Sequence, residues 1–179
     1  MLPRRIESKR LLLRAPAAGD GAQVNEAIAE TFEQLHKWMP WAQVLPSVEQ
    51  SEAFVQEAAR KWEAQTQFDF NILLQDGAFV GCVGIWPLEA QATFEIGYWC
   101  RASMQRQGYI SEAVRALCAA ARKYLQARQL IIRCDERNIA SQRVALRCGF
   151  GWEETRRDDE QSVDEKPRHT LIFARLAQD

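Results

Sequence analysis

No apolar run in this sequence approaches the ~20 residues that a membrane-spanning helix needs, so no membrane partner is expected. Histidine is scarce: His36 and His169 are the only two, and neither lies near a pair of cysteines. The five cysteines, Cys82, Cys100, Cys118, Cys134 and Cys148, are scattered, and no C-x-x-C pair occurs. Metal-site spacing is therefore missing, and no metal is expected. An odd set of cysteines without a signal peptide points to reduced thiols and a cytoplasmic location. There is no excess of positive charge either. The 23 Lys and Arg face 24 Asp and Glu, for a net charge of −1. A general nucleic-acid binder needs Lys and Arg to neutralise phosphates, so direct nucleic-acid binding is not expected. With no internal repeat and no linker, the chain reads as one domain, residues 1–179, as a monomer or homodimer. That length is enough to bury a core without disulfide or metal staples.

Hydrophobic residues make up 47% of the chain, and their spacing sets out the elements. The basic start, Met1 to Arg10, reads as irregular, and Leu11 to Arg14 as a first strand. Asp20 is a candidate cap for a helix to about Phe32, with Val24, Ala27, Ile28 and Thr31 at helical spacing. Ser47 and Gln50 resemble a capping box, which predicts a helix from Val48 to about Ala64. Phe68, Phe70, Ile72 and Leu74 alternate as in a strand, and Asp76-Gly77 is a hairpin turn signal. Phe79 to Trp86 and Thr93 to Cys100 complete an antiparallel meander. A long helix is predicted from about Ile110, its apolar face running through Val114, Leu117, Ala121, Tyr124 and Leu125. Leu130 to Cys134 is a short buried strand, parallel to the preceding one because a helix crosses between them. A short helix from Ala140 to Arg147 stops at Gly149. Two strands, Phe150 to Arg156 and Thr170 to Leu176, flank an acidic loop from Asp158 to Lys166. The fold class is α+β, with a mostly antiparallel mixed sheet, one parallel pair and flanking helices.

The sharpest chemical signal follows the third strand of the meander. There Gln105-Arg106-Gln107-Gly108-Tyr109-Ile110 leads from strand to helix. The exposed amides and positive end of a helix N-terminus favour phosphate, and glycine lets a ligand approach the backbone. An ordinary strand-to-helix turn has the same outline. A nucleoside-triphosphate loop does not fit, because Gly108 is not followed by the Lys-Ser/Thr pair.

Three blocks together carry a resemblance. Gln105-x-x-Gly108-x-Ile110 is similar to the pyrophosphate loop of the GNAT acetyltransferases, with Ile110 in place of the commoner small residue. Gly97-Tyr98-Trp99 and Arg137-Asn138-x-x-Ser141, followed by Cys148-Gly149-Phe150, resemble the branch that acetylates ribosomal-protein N-termini. The order and spacing match from about Phe70 to Phe150, and Trp38-Met39-Pro40-Trp41 extends the likeness toward the N-terminus.

The resemblance implies a GNAT-like fold whose two central strands splay apart to admit acetyl-CoA as cosubstrate. Its pantetheine would bond the strand at Tyr98, Trp99 and Cys100 as a partial extra strand, with Asn138 beside it. Its pyrophosphate would sit on Gln105, Arg106, Gln107, Gly108, Tyr109 and Ile110. Glu95 is the first candidate for the base that takes the amine proton, although a strand carboxylate is commonly a cross-strand charge. Glu160 is the rival, in a stretch that also reads as a solvated charge run. Ala145 stands where many GNAT enzymes carry a tyrosine, so Ser141 is the candidate partner of the leaving thiolate; a solvent-facing serine is the plainer alternative. Trp38 and Trp41 are candidate walls of the acceptor pocket or else core residues. No cysteine has a neighbouring histidine in sequence, which favours direct transfer over an acyl-enzyme. The acceptor is read as a protein N-terminus, with a small-molecule amine or a non-catalytic CoA-binding role as alternatives.

Overall fold

The computed structural model describes residues 1–161 and 167–176, with the side chains of 158–161, 167 and 168 excepted. Eight strands form one mixed sheet in the order β1-β2-β3-β4-β5-β6-β8-β7. They are β1 (Arg5–Glu7), β2 (Leu11–Arg14), β3 (Phe68–Leu74), β4 (Phe79–Pro87), β5 (Thr93–Cys100), β6 (Gln129–Asp135), β7 (Gly151–Gln161) and β8 (Pro167–Leu176). The helices are α1 (Gly21–Trp38), α2 (Val48–Ala64), α3 (Tyr109–Ala120) and α4 (Ile139–Arg147). Every neighbouring pair of strands is antiparallel except β5 and β6. No helix among the described residues is long and apolar enough to cross a membrane.

Strand alternation divides the apolar side chains between two faces. Leu11, Leu13, Phe70, Ile72, Val83, Ile85, Ile96, Leu130 and Ile132 face Ile110, Val114 and Leu117 of α3 in the main core. On the other face, Leu73 and Phe79 meet Val24, Ala27 and Ile28 of α1 and Val55 of α2. Each fully buried Leu, Ile or Phe side chain stabilises the fold by about 1.5–3 kcal/mol relative to exposure. The two layers therefore hold the sheet between them, and a functional opening must lie where its strands come apart.

Four elements differ from expectation. Residues Arg5–Glu7 are not irregular; they form an edge strand paired with β2, from which Ile6 packs inward. Three residues give too short an alternation to register as a strand. Helix α1 continues to Trp38 because its buried face extends past Thr31 to Leu35. Asp20 does not cap it with its side chain; its carboxylate accepts from Arg14, the Ala17 N–H and Asn71 Nδ2 instead. The long helix stops being α-helical at Ala120 and passes into a π-helical turn, Ala121–Leu125. The wider winding rotates the apolar stripe, and Tyr124 ends up 41% exposed rather than in the core. Finally, the stretch from Asp158 is not all loop: β7 runs on to Gln161, and residues 162–166 lie outside the described set. The capping box of α2 forms as expected, with Ser47 Oγ accepting from Gln50 N and Gln50 Oε1 from Ser47 N.

The parallel pair is the feature that positions the site. Strand β5 stays paired with β4 along its whole length, from Pro87↔Phe94 to Gly81↔Cys100. Strand β6 stays paired with β8 up to Asp135↔Thr170. Between β5 and β6 only Thr93↔Gln129, Phe94↔Leu130 and Glu95↔Ile131 are in register. Beyond them the two strands splay.

Candidate active site

A central strand paired on both sides is normally buried, yet Gly97, Tyr98, Trp99 and Cys100 are all part-exposed. Among the described residues, their β6-facing edge has no ladder partner beyond Glu95. It is an internal edge on which an extended ligand can add as a strand. Alternation sends Tyr98 and Cys100 toward α3 and Trp99 toward α1. Gly97 faces the α1 side, where a Cβ would come within 2.8 Å of the Trp86 ring. A side chain at this position would push the ring aside.

The loop after β5 is tied to the strand and to α1. Gln105 Nε2 donates to the Cys100 carbonyl at 3.3 Å and to Gln34 Oε1 at 2.6 Å. Arg106 and Gly108 both take left-handed backbone conformations, at φ +61° and +79°. Gly108 is the N-cap of α3, and no side chain among the described residues caps that end. The amides of Tyr109, Ile110 and Ser111 have no intrahelical acceptor, so they and the helix dipole could hold an anion. Ile110 itself is only 8% exposed and packs in the main core, so its amide alone can serve a phosphate. That explains how a bulky residue is accommodated at the end of the loop. Arg106 and Gln107 are exposed.

Arg10, which sequence reading passed over, buttresses this loop. Its Nε donates to Glu112 at 2.7 Å and its Nη1 to the Gln107 carbonyl at 3.1 Å. The guanidinium also lies over the Tyr109 ring, 4.6 Å from the centroid. Nothing local in the sequence links Arg10 to a loop about a hundred residues later.

The proposed catalytic residues divide into those the fold brings together and those it does not. Tyr98 Oη lies 2.9 Å from Ser141 Oγ, which joins β5 to α4 across the splay. Asn138 caps α4, its Oδ1 accepting from Ser141 N at 3.1 Å. Its amide NH₂ is left to donate to a ligand. The turn before it is held by Asp135, whose carboxylate accepts from Arg137 Nε and Nη2 at 2.9 and 2.7 Å. Glu95 is buried and ion-paired with Arg133 of β6. Arg133 was also missed, although alternation places it on the same face as Glu95: Glu95 is level with Ile131, and Arg133 is two residues on. Glu160 belongs to β7, and its side chain lies outside the described residues. Trp38 ends α1 part-buried, and Trp41 is 47% exposed in the connection to α2. Burial pushes the Cys100 and Cys118 thiols up to about 12 and raises those of Cys82 and Cys148 as well. These four thiols stay protonated near neutrality and are poor nucleophiles.

Comparison with known proteins agrees with this arrangement. Residues 10–151 match the acetyltransferase (GNAT) domain. The ribosomal-protein-serine acetyltransferase of Escherichia coli K12 is 31% identical over 144 residues, covering 80% of each chain. A structure of RimL, the ribosomal L7/L12 α-N-protein acetyltransferase, in complex with coenzyme A, superposes with a TM-score of 0.88 at 24% identity, over 96% of this chain and 97% of that one. The microcin C7 self-immunity acetyltransferase MccE, in complex with acetyl-CoA and AMP, superposes at 0.87 with 21% identity, over 94% and 93%. A splayed parallel pair, an uncapped helix N-terminus after a Gln-x-x-Gly loop and a family match over most of the chain lead to one conclusion: the chain belongs to the GNAT acetyltransferase family and is an acetyl-CoA-dependent N-acetyltransferase.

Proposed function

We propose that this enzyme transfers the acetyl group of acetyl-CoA directly to the α-amine at a protein N-terminus, and that the protein is ribosomal. The observation that carries this reading is the 31% identity, over 80% of both chains, to a ribosomal-protein-serine acetyltransferase. The residues present fit the cofactor. The open edge of β5 at Tyr98, Trp99 and Cys100 suits a pantetheine arm with its alternating amides. The Asn138 NH₂ is a further donor beside it, and the amides from Gln105 to Ile110 suit the pyrophosphate.

The chain's own groups then divide the work. Main-chain N–H groups of β5 at the splay polarise the thioester carbonyl. Glu95 accepts the amine proton, directly or through water, while Arg133 fixes the carboxylate. Glu160 remains the rival for that role. The Ser141 hydroxyl donates a hydrogen bond to the departing sulfur. Trp38 and Trp41 line the acceptor side, between the end of α1 and the start of α2. The enzyme works in the cytoplasm, where its thiols stay reduced.

A second reading has one observation behind it. The microcin C7 self-immunity acetyltransferase, whose structure holds acetyl-CoA and AMP, shares the fold at a TM-score of 0.87, and the alternative acceptor is a small-molecule amine. The test is to incubate the enzyme with acetyl-CoA and three acceptor sets: ribosomal proteins, lysine peptides and small amines. Mass spectrometry then locates the acetyl group. Acetylation at ribosomal N-termini is expected, and acetylation of small amines alone would replace this reading with the second.

A further inference from the structure

Tyr98 has a main-chain part in holding the cofactor, but its side chain has no assigned task. Its phenol crosses the splay on the α3 side, and its oxygen lies 2.9 Å from Ser141 Oγ and 3.2 Å from the Ser141 carbonyl oxygen. The ring packs against the main core, which fixes the oxygen in place. Ser141 supplies the one side-chain hydroxyl on α4, and Ala145, one turn further on, is fully buried. We infer that the Tyr98 hydroxyl positions Ser141 to hydrogen-bond the departing thiolate of coenzyme A. This deepens the reading of Ser141 given above and rests on it.

The direction of one proton decides whether Ser141 can reach the sulfur. A hydroxyl is one donor with two acceptor lone pairs, and a helical serine left alone tends to bond back to a carbonyl of its own turn. Tyr98 and Ser141 have two consistent arrangements. In one, the phenol donates to the Ser141 carbonyl and accepts the Ser141 O–H, which is then unavailable to a ligand. In the other, the phenol donates to Ser141 Oγ, and the Ser141 O–H is free to turn toward the gap. When the C–S bond breaks, its electron pair goes to sulfur, and the growing negative charge favours the second arrangement. Each link strengthens the next, and no proton leaves either oxygen. Burial holds the Tyr98 phenol well above its ordinary range, so it remains a donor throughout the working pH range.

The test compares Tyr98→Phe, Ser141→Ala and the double variant by three measurements. Calorimetry gives the acetyl-CoA Kd, which should change little in any variant. The ultraviolet absorbance of the thiolate, with the free enzyme subtracted, gives the titration of bound coenzyme A. A hydrogen-bond donor stabilises the thiolate, so both single variants should shift that titration to higher pH. The double variant should match Ser141→Ala. Single-turnover transfer should fall by about ten- to a hundredfold in each, the usual scale for a hydrogen bond to a charged group, and no further in the double. If Ser141→Ala changes titration and rate but Tyr98→Phe changes neither, or if their effects multiply, this inference is wrong while the Ser141 reading stands. If Ser141→Ala changes neither, both are overturned.

Discussion

At the scale of single residues, the proposed base is a carboxylate that is both buried and ion-paired. Glu95 sits at the last paired position before β5 and β6 part, with Arg133 reaching it from the neighbouring strand. Glu95→Ala would empty a buried position, so it would confuse catalysis with folding. Glu95→Gln keeps the shape and removes the basicity. Its turnover should fall on the order of 10²–10⁴-fold, the usual contribution of a general base, with acetyl-CoA affinity nearly unchanged. Steady-state kinetics beside calorimetry checks this. A large loss from Glu160→Gln, with little from Glu95→Gln, would transfer the role to Glu160. Glu95 was legible as a candidate because it lies inside a recognisable strand motif. Arg133 was not, because its importance comes from being two residues beyond a pairing that only the fold defines.

At the scale of elements, the loop and the start of α3 act as one unit with the β1–β2 hairpin. Gly108 holds φ +79°, and a Cβ there would come within 3.7 Å of the Arg10 guanidinium. Gly108→Val should therefore strain the turn and intrude on the phosphate path, weakening acetyl-CoA binding in calorimetry while the fold, followed by circular dichroism, persists. Arg10 offers a subtler check. It pairs with Glu112, an acidic residue in the first turn of the helix whose N-terminus we propose as the pyrophosphate site. Arg10→Met should weaken acetyl-CoA binding several-fold, on the order of 1 kcal/mol for a partly exposed pair. Adding Glu112→Gln should restore most of it. If the double variant stays weak, Arg10 serves the loop by some means other than charge balance. The helices and the meander were legible because their periods run over many residues, as in α2 from Val48 to Ala64. What escaped was short or broken in period: the three-residue β1 and the π-helical turn after Ala120.

At the scale of the whole molecule, one opening in one sheet organises everything else. Helices α1 and α2 cover one face and α3 the other, and the mismatch in pairing along β5 and β6 leaves a gap between them. The parallel pair followed from the helical crossover, whereas the place of the last two strands in the sheet did not. The splay did not, because the point where two strands stop pairing leaves no mark in their composition; it came only with the family likeness. The identity of the acceptor is where the chain's chemistry and its relatives have to agree. An α-amine has a pKa of about 7.7–8.0 against about 10.4 for lysine, so near neutrality its nucleophilic fraction is on the order of a hundredfold larger. An enzyme with a single carboxylate base gains from that difference. The most direct measurement is kcat/KM on two matched peptides, one with a free N-terminal serine and no lysine, the other N-terminally blocked with one internal lysine. The free N-terminus should be acetylated with far higher efficiency, on the order of the hundredfold difference in neutral amine. Equal efficiencies, or activity confined to small free amines, would contradict the account.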